Sequence, residues 1–519
     1  MALKKKARKK KRPARTSPRK TRKVHAPVKF EVKAPVRRNP AKKARKKVVR
    51  RKKSLPTTYF HPQTFLKKRA RRAAVLGMGR SGLAAARLLR NKGFAVRLSD
   101  SRPRRELRAA AAKLPAGVQW EGGGHSDLLL RCHFAVKSPG ILPSAPILAK
   151  FREAGIPVFS ELEIALAFCP TAEIIAVTGT NGKTTTAALT HHLFKSARRK
   201  THLFGNVGVP LSAGVSKIKK KDTLVLEVSS YQLEDSRWFR PVSAAILNLT
   251  SDHIEHHGSM EAYRKAKTRI FAYQDRDHSC IFNSADPAVV GMARNCRARK
   301  LFFGHDPSTR TAAWMEKGRI VVRMPGEKKT TSLVPPKLPG VHTLENSMAA
   351  VLLALTRGIA PKAVQKGLKT FKGVEHRIEN CGKLGPLVCV NDSKATNIDS
   401  TLAALRSLNG KHEGKVILIL GGLGKSGGFG ALRSLVEKFA KAVLTIGSAA
   451  AKIEEDLQGA THVFPCENLE TAVDVALKIG AKGETLLLSP ACASFDQFAS
   501  FEERGRRFKE LVKKAGGKS

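Results

Sequence analysis

A buried apolar run, a glycine loop and an amphipathic stretch follow one another twice in this chain, and that recurrence fixes most of what it can fold into. The first instance is "AAVLGMGRSGLAAARLLRNKGFAVRLSD" from Ala73, with Gly93 ending the helix; the second is "EIIAVTGTNGKTTTAALTHHLF" from Glu173. Short apolar runs interleaved with helical patterns imply parallel strands joined by crossover helices. "FAVKSPGI" adds a strand to the first unit, and "DTLVLEVSS" and "AAILNLT" add strands to the second. A third unit follows "FKGVEHRIE", where "PLVCVND", "KVILILGG", "AVLTIG" and "ETLLLSP" alternate with helical "NIDSTLAALRSL" and "NLETAVDVALKIG". Between Ile281 and Val334, "RIVVRM" and "TTSLV" suggest an antiparallel accessory sheet, and "GVHTLENSMAAVLLAL" reads as a helix with Asn346 near its start. The expected fold class is α/β with three domains: Rossmann-like over 73–162, P-loop-like with the accessory sheet over 163–372, and Rossmann-like over 373–519.

Charge marks off a fourth region. Of 97 Lys and Arg, 31 lie in Met1–Arg72 with a single acid, Glu31, so this tail carries +30 of the net +57. Its low apolar content and its prolines cannot repay the entropy of ordering, and it is expected to be disordered. In composition it is similar to the Lys/Pro-rich tails of linker-histone-like proteins. Such a tail would either extend as a solvated segment or hold nucleic acid or another polyanion by counterion release. Lysine dominance and prolines disfavour the amphipathic helix of a transit peptide. No apolar run approaches the roughly 20 residues of a membrane helix, and no apolar segment follows the basic start, so neither a span nor a secretory signal is expected. The eight cysteines form no C-x-x-C pair, which fits reduced, buried thiols in a cytoplasmic protein, expected as a monomer.

Gly77-Met78-Gly79-Arg80-Ser81-Gly82 fits G-x-G-x-x-G between strand and helix, and Asp100 ends the next strand. The pattern admits a dinucleotide with Asp100 on a ribose hydroxyl, another pyrophosphate or diphosphosugar at the helix N-terminus, or a structural turn. Gly179 to Thr185 is more specific. Gly182-Lys183-Thr184 ends like a phosphate loop, supplying an ammonium and a Mg²⁺-binding hydroxyl, although Val177 stands where the longer loop has its first glycine. Strand ends offer partners for the metal: Glu227 in "LEVSSYQLE" and Asp252-His253 in "NLTSDHIEHH". His253, His256 and His257 lack the further ligands of a zinc site and read as a solvated helix start. Lys267 in "YRKAKTRIF" reads by itself as a solvated helical lysine, and Lys425 in "LGGLGKSGGF" as a loop charge or a phosphate contact. "VNDSKATN" and "SPACASFDQF" concentrate polar and small residues at strand ends, the second with a possible helix N-terminus for an anion.

Taken together, "GTNGKTT", "LEVSSYQLE", "NDSKATN" and "SPACASFDQF", in this order, resemble the Mur ligase family, and within it the branch that adds D-glutamate to UDP-N-acetylmuramoyl-L-alanine. The similarity runs from about Ala73 to the C-terminus. It implies an ATP-dependent ligase forming an acyl phosphate, with ATP and Mg²⁺ required. The resemblance implies that the first domain holds the UDP group through Arg80, Ser81, Asp100, Ser101, Arg102 and Gly140, and that Asn206 contacts the muramoyl substrate. It implies ATP at Gly179, Thr180, Asn181, Gly182, Lys183, Thr184, Thr185, Asn346, Arg377 and Asp392. Metal ligands would be Thr184, Glu227, His253 and Lys267 as a carbamate, with Lys183, His253 and Lys267 catalytic. Lys394, Thr396, Lys425, Ser494 and Phe501 would hold D-glutamate. Two positions depart from the family pattern: Thr343 removes one adenine contact while Asn346 remains, and Leu423 replaces a common Asp near Lys425. The competing readings are another Mur-family or folylpolyglutamate-type ligase, and a polyanion-binding protein with a ligase-derived body.

Overall fold

The computed structural model describes Leu66 and residues 71–516, apart from 172, 207, 309–310, 339–340, 409–411 and 425–427. Most of the basic tail and Lys425 therefore lie outside the described residues. Leu66 is buried in the first core, beside Ala73 and Val75.

Three sheets organise the chain. The first joins β1 (Arg72–Leu76), β2 (Ala95–Asp100), β3 (Gln119–Gly122), β4 (Phe134–Lys137) and β5 (Val158–Ser160) in the order β3-β2-β1-β4-β5. Every pairing in it is parallel. Its crossover helix α1 (Arg80–Asn91) presents Ala85, Ala86 and Leu89 to the sheet. A carboxylate-rich connector, α2 (Glu161–Ala167), leads into the second sheet.

The second sheet contains β6 (Ile174–Thr178), β7 (Thr201–Gly205), β8 (Thr223–Glu227), β9 (Ser243–Ile246), β10 (Ser279–Asn283), β11 (Arg299–Gly304), β12 (Thr311–Glu316), β13 (Arg319–Val322) and β14 (Thr331–Leu333). Their order is β14-β13-β12-β11-β10-β9-β6-β8-β7. The two strands expected to form an accessory sheet do pair antiparallel, and they continue the edge of this sheet through β12. Five helices carry or frame the site here and beyond: α3 (Lys183–Ser196), α4 (Ser230–Glu234), α5 (Ile254–His257), α6 (Met260–Thr268) and α7 (Val341–Thr356). Helix α7 is apolar on most sides because it packs between α3 and the sheet, burying Met348, Val351 and Leu352 completely.

The third sheet has β15 (Glu379–Leu384), β16 (Leu387–Asn391), β17 (Val416–Gly421), β18 (Ala440–Ile446), β19 (His462–Glu467) and β20 (Thr485–Leu488), in the order β15-β16-β20-β17-β18-β19. Only β15 runs antiparallel to its neighbour. Helices α8 (Ile398–Arg406) and α9 (Phe501–Gly516) flank it. "SPACASFDQF" does not begin a helix: its small residues turn without helical structure, and α9 starts only at Phe501. All eight cysteines are free thiols, and only Cys381 is not fully buried. No described helix is long and apolar enough to cross a membrane.

The connector α2 stores an electrostatic cost. Glu163 accepts hydrogen bonds from the backbone N–H groups of Arg237 and Trp238, and Glu161 accepts one from Ser212 at 2.8 Å. Burial raises the Glu163 carboxyl from 4.5 to about 7 despite those bonds. Between these values the folded chain keeps a proton that the unfolded chain has lost, so stability falls as pH rises from 4.5 to about 7. Denaturant midpoints measured across that window are expected to decline less in Glu163→Gln than in the parent; parallel declines would contradict the assignment.

Candidate active site

The glycine missing from the phosphate loop is accounted for by β6. Val177 pairs with Glu227 and Ala245 inside the sheet and is fully buried, so the loop starts only at Gly179. It then turns directly into α3 through Gly182, whose φ of 82° favours glycine. A Cβ at Gly182 would also collide with the Asn346 carboxamide, which packs against the loop from α7 and accepts from Thr186 Oγ1 at 3.2 Å. Asn248 pins the loop from the other side, accepting from Asn181 N at 2.8 Å. Lys183 opens α3, and its ammonium donates to the carbonyls of Gly179 at 3.0 Å and Thr180 at 2.7 Å.

Lys267 is not the solvated lysine that its sequence neighbourhood suggests. It is 1% exposed on α6, donates from Nζ to the Gly179 carbonyl at 2.8 Å, and lies 4.6 Å from the centre of the Tyr263 ring. Burial, reinforced by the nearby Lys183 charge, pushes its ammonium well below its ordinary value. Glu227, at the end of β8, is 3% exposed and accepts from Asn206 Nδ2 at 3.2 Å. His253 occupies a left-handed conformation before α5, with φ 58°, and its Nδ1 lies 2.8 Å from the Tyr231 hydroxyl.

The histidines after it are packed rather than solvated. His257 is buried, His256 lies 2.9 Å from Glu234, and the rings of His253, His256 and His257 surround Tyr231. A zinc-like triad of Glu234, His256 and His257 exists geometrically, but the Lys137 ammonium lies 3.9 Å from the same carboxylate. Burial pushes the Glu234 carboxyl up, yet hydrogen bonds from His257 and His256, with the Lys137 charge, hold it at about 2.

Loops from the third sheet close over this centre. Lys394 donates to the Thr184 hydroxyl in a short hydrogen bond and lies 5.4 Å from the Phe501 ring centre. Burial lowers its ammonium to about 7. Asn397 donates to Asp252 at 3.2 Å, and Ser400 to Asn181 at 3.1 Å. The cavity between them, about 260 Å³, is lined by Lys183, Thr184, Asn206, Glu227, His253, Lys267, Arg377, Lys394, Thr396 and Phe501. An adjoining cavity of about 580 Å³ is lined by Thr185, Thr343, Asn346, Arg377 and Asp392. Burial raises the Asp392 carboxyl to about 6 against the opposing charge of Arg377. Thr185 Oγ1, Arg377 Nε and Ser494 Oγ are buried without a hydrogen-bond partner among the described residues, as groups reserved for a ligand would be.

Of the residues expected to hold the UDP group, Gly140 lines a third cavity, about 810 Å³, which reaches from Gly140 and Leu142 past His253 to Asn397 and Ala491, while Arg80, Ser81, Asp100, Ser101 and Arg102 do not line it. Asp100 is occupied internally: Oδ2 accepts from Met78 N at 2.7 Å and Arg102 at 2.8 Å, Oδ1 from Arg102 N and Nε at 3.0 Å. Burial pushes its carboxyl up, but these bonds hold it at about 2. It therefore braces the glycine turn and orients Arg102. Arg80, beside Ser81 at the start of α1, reaches Glu502 at 3.7 Å, and Ser101 is exposed. Leu423 forms an isolated bridge with Ala493 and is 44% exposed.

Sequence reading missed Tyr231, Tyr263, Asn248 and Ser400. Tyr263 meets the Thr180 hydroxyl at 3.1 Å across 83 residues, a contact that no local pattern signals.

Three family models match in succession: a Mur ligase MurD-like N-terminal domain over residues 71–160, a Mur ligase middle domain over 177–354, and a Mur ligase glutamate ligase domain over 376–492. The UDP-N-acetylmuramoylalanine–D-glutamate ligase of Elusimicrobium minutum is 46% identical over 457 residues, covering 86% of this chain and 98% of that protein. Its counterpart from Koribacter versatilis is 41% identical over 451 residues, with the same coverage. Among solved structures, the UDP-N-acetylmuramate–alanine ligase of Thermotoga maritima shares the fold at TM-score 0.56 and 20% identity, covering 86% of this chain and 100% of that one. With the three family models matched in order and such relatives similar over almost their whole length, the chain belongs to the Mur ligase family.

Proposed function

We propose that the chain ligates D-glutamate to UDP-N-acetylmuramoyl-L-alanine at the expense of ATP, a step of peptidoglycan synthesis. The observation that carries this reading is the convergence of Lys183, Thr184, Glu227, His253, Lys267 and Lys394 on one cavity between the second and third sheets. ATP would lay its phosphates along Gly179, Thr180, Asn181, Gly182 and Thr185, with its base in the cavity of Asn346, Arg377 and Asp392. The orphaned Thr185 Oγ1 and Arg377 Nε fit that ligand. The UDP group would rest on Arg80, Ser81, Ser101, Arg102 and Gly140, with Asp100 bracing the turn and Asn206 meeting the muramoyl part.

The alanyl carboxylate attacks the γ-phosphorus; the bond to ADP breaks and an acyl phosphate forms. The D-glutamate amine then attacks the acyl carbon, phosphate departs, and the amine loses a proton. Lys183 supplies fixed positive charge as negative charge gathers on the transferred group, the main demand in phosphoryl transfer. The donor set of Thr184, Glu227, His253 and a carbamylated Lys267 suits Mg²⁺, which when bound would neutralise phosphate charge. Lys394, Thr396, Lys425, Ser494 and Phe501 would hold D-glutamate. Purified protein should release ADP only when both UDP-N-acetylmuramoyl-L-alanine and D-glutamate are present; release indifferent to D-glutamate would overturn the reading.

We further propose domains over 73–162, 163–372 and 373–519, a cytoplasmic monomer, and a tail, Met1–Arg72, that holds nucleic acid or another polyanion. The tail's charge, +30 over Met1–Arg72, supports this. Retention on a polyanion column is expected to fall sharply with salt and to drop when the tail is removed; equal retention of both forms would refute it.

A further inference from the structure

Arg504, on α9, is fully buried and forms no ion pair among the described residues. Burying a guanidinium without a carboxylate is costly, so its hydrogen bonds must compensate within the protein. All five of its N–H groups have acceptors, and these come from three separate loops. Nε donates to Ser393 Oγ at 3.1 Å and Nη2 to the Ser393 carbonyl at 2.9 Å. Nη2 also donates to the Cys492 carbonyl at 3.0 Å, and Nη1 reaches the Gly421 and Ala493 carbonyls at 3.4 Å. Gly421 and Gly422 have φ of 123° and 127°; a Cβ on Gly421 would collide with the Ile446 carbonyl and one on Gly422 with the Ala493 carbonyl, standing also 3.0 Å from Nη1, so the glycines let this loop pack against its neighbouring backbone and the guanidinium.

Two of the loops continue directly into residues proposed to hold the amino acid: Lys394 follows Ser393, and Ser494 follows Ala493. Ser393 Oγ, one acceptor of Arg504, donates in turn to the Phe501 carbonyl at 2.8 Å. Resting on the ligase reading above, we infer that Arg504 is the positioning residue that ties the Ser393–Lys394 and Ala493–Ser494 loops of the D-glutamate pocket together, anchored on the Gly421 carbonyl, without touching the amino acid itself. A lysine has three donors at one point and cannot span these acceptors, so the planar five-donor fork is the required element. Misplacing the pocket should weaken D-glutamate use most, because the UDP substrate is held by the first sheet and ATP chiefly by the second, and Asp392, although it precedes Ser393, is held independently by the Ser489 hydroxyl at 2.9 Å and Ile378 N at 3.3 Å.

The test is steady-state ADP release by the full chain, parent against Arg504→Lys and Arg504→Ala, titrating each substrate, with melting curves. KM for D-glutamate is expected to rise on the order of 10²-fold, as for an ångström-scale displacement of a bound reactant. KM for ATP and for UDP-N-acetylmuramoyl-L-alanine should stay near the parent's, and added guanidinium, but not methylammonium, should lower the D-glutamate KM of Arg504→Ala. If Arg504→Ala does not fold, the KM split in Arg504→Lys decides. An unchanged D-glutamate KM, a parallel rise in all three KM values, or failure of both variants to fold would overturn the inference. A parent enzyme that releases ADP without regard to D-glutamate would instead sink the ligase reading itself.

Discussion

Lys183→Ala is expected to lower the rate of ADP release on the order of 10³-fold while leaving the melting temperature nearly unchanged. The side chain is partly exposed at the mouth of α3 and donates to two loop carbonyls rather than packing in a core, so the fold is expected to lose little when it goes. The reaction loses the point charge nearest the loop, in a cavity where burial already lowers the neighbouring Lys267 and Lys394 ammonium groups. Those two amines therefore cannot stand in for it as reliably charged groups. A loss smaller than about tenfold would place the phosphates elsewhere.

Lys267→Ala should be nearly as damaging, on the order of 10²-fold or more in rate, and its signature is rescue. Burial and the Lys183 charge hold the amine well below its ordinary value, which favours the neutral form that attacks carbon dioxide. In the proposed carbamate a nitrogen–carbon bond would form, a proton would leave, and the amine would become a carboxylate-like ligand beside Glu227 and Thr184. The methyl group of alanine leaves space for a small carboxylate, so acetate or formate should restore part of the rate to Lys267→Ala and none to Lys183→Ala. Absence of any rescue, with the fold intact, would mean that Lys267 acts through its amine alone.

Much of this arrangement is legible in the sequence because it depends on short-range pattern. Strand, glycine loop and helix recur, and Gly182-Lys183-Thr184 closes the loop that follows the end of β6 at Thr178 and opens α3. The central sheet's antiparallel edge was visible as strands but not as a continuation of the sheet, since β12 supplies the join through long-range pairing. The burial of Lys267 and His257 was not legible: both lie in polar helical stretches, and Lys267 is enclosed by the Gly179 loop, 88 residues away, and His257 by Tyr231 and Ser230, which reach them through tertiary packing. "SPACASFDQF" misled because small residues before Phe501 mimic a helix start, whereas the segment is shaped by Arg504, whose partners are up to 111 residues away. Asp100 shows the converse. Its position at a strand end was evident, but its bonds to Met78 and Arg102 make it a brace for the turn.

The most direct measurement is to supply UDP-N-acetylmuramoyl-L-alanine labelled with heavy oxygen in its alanyl carboxylate, together with ATP and either D- or L-glutamate, and to follow the label by mass spectrometry. An acyl-phosphate ligase specific for D-glutamate must deliver one labelled oxygen to inorganic phosphate for each D-glutamyl amide formed, with ADP as the nucleotide product. Label appearing in AMP, amide formed without label in phosphate, or equal turnover with L-glutamate would contradict that mechanism and specificity.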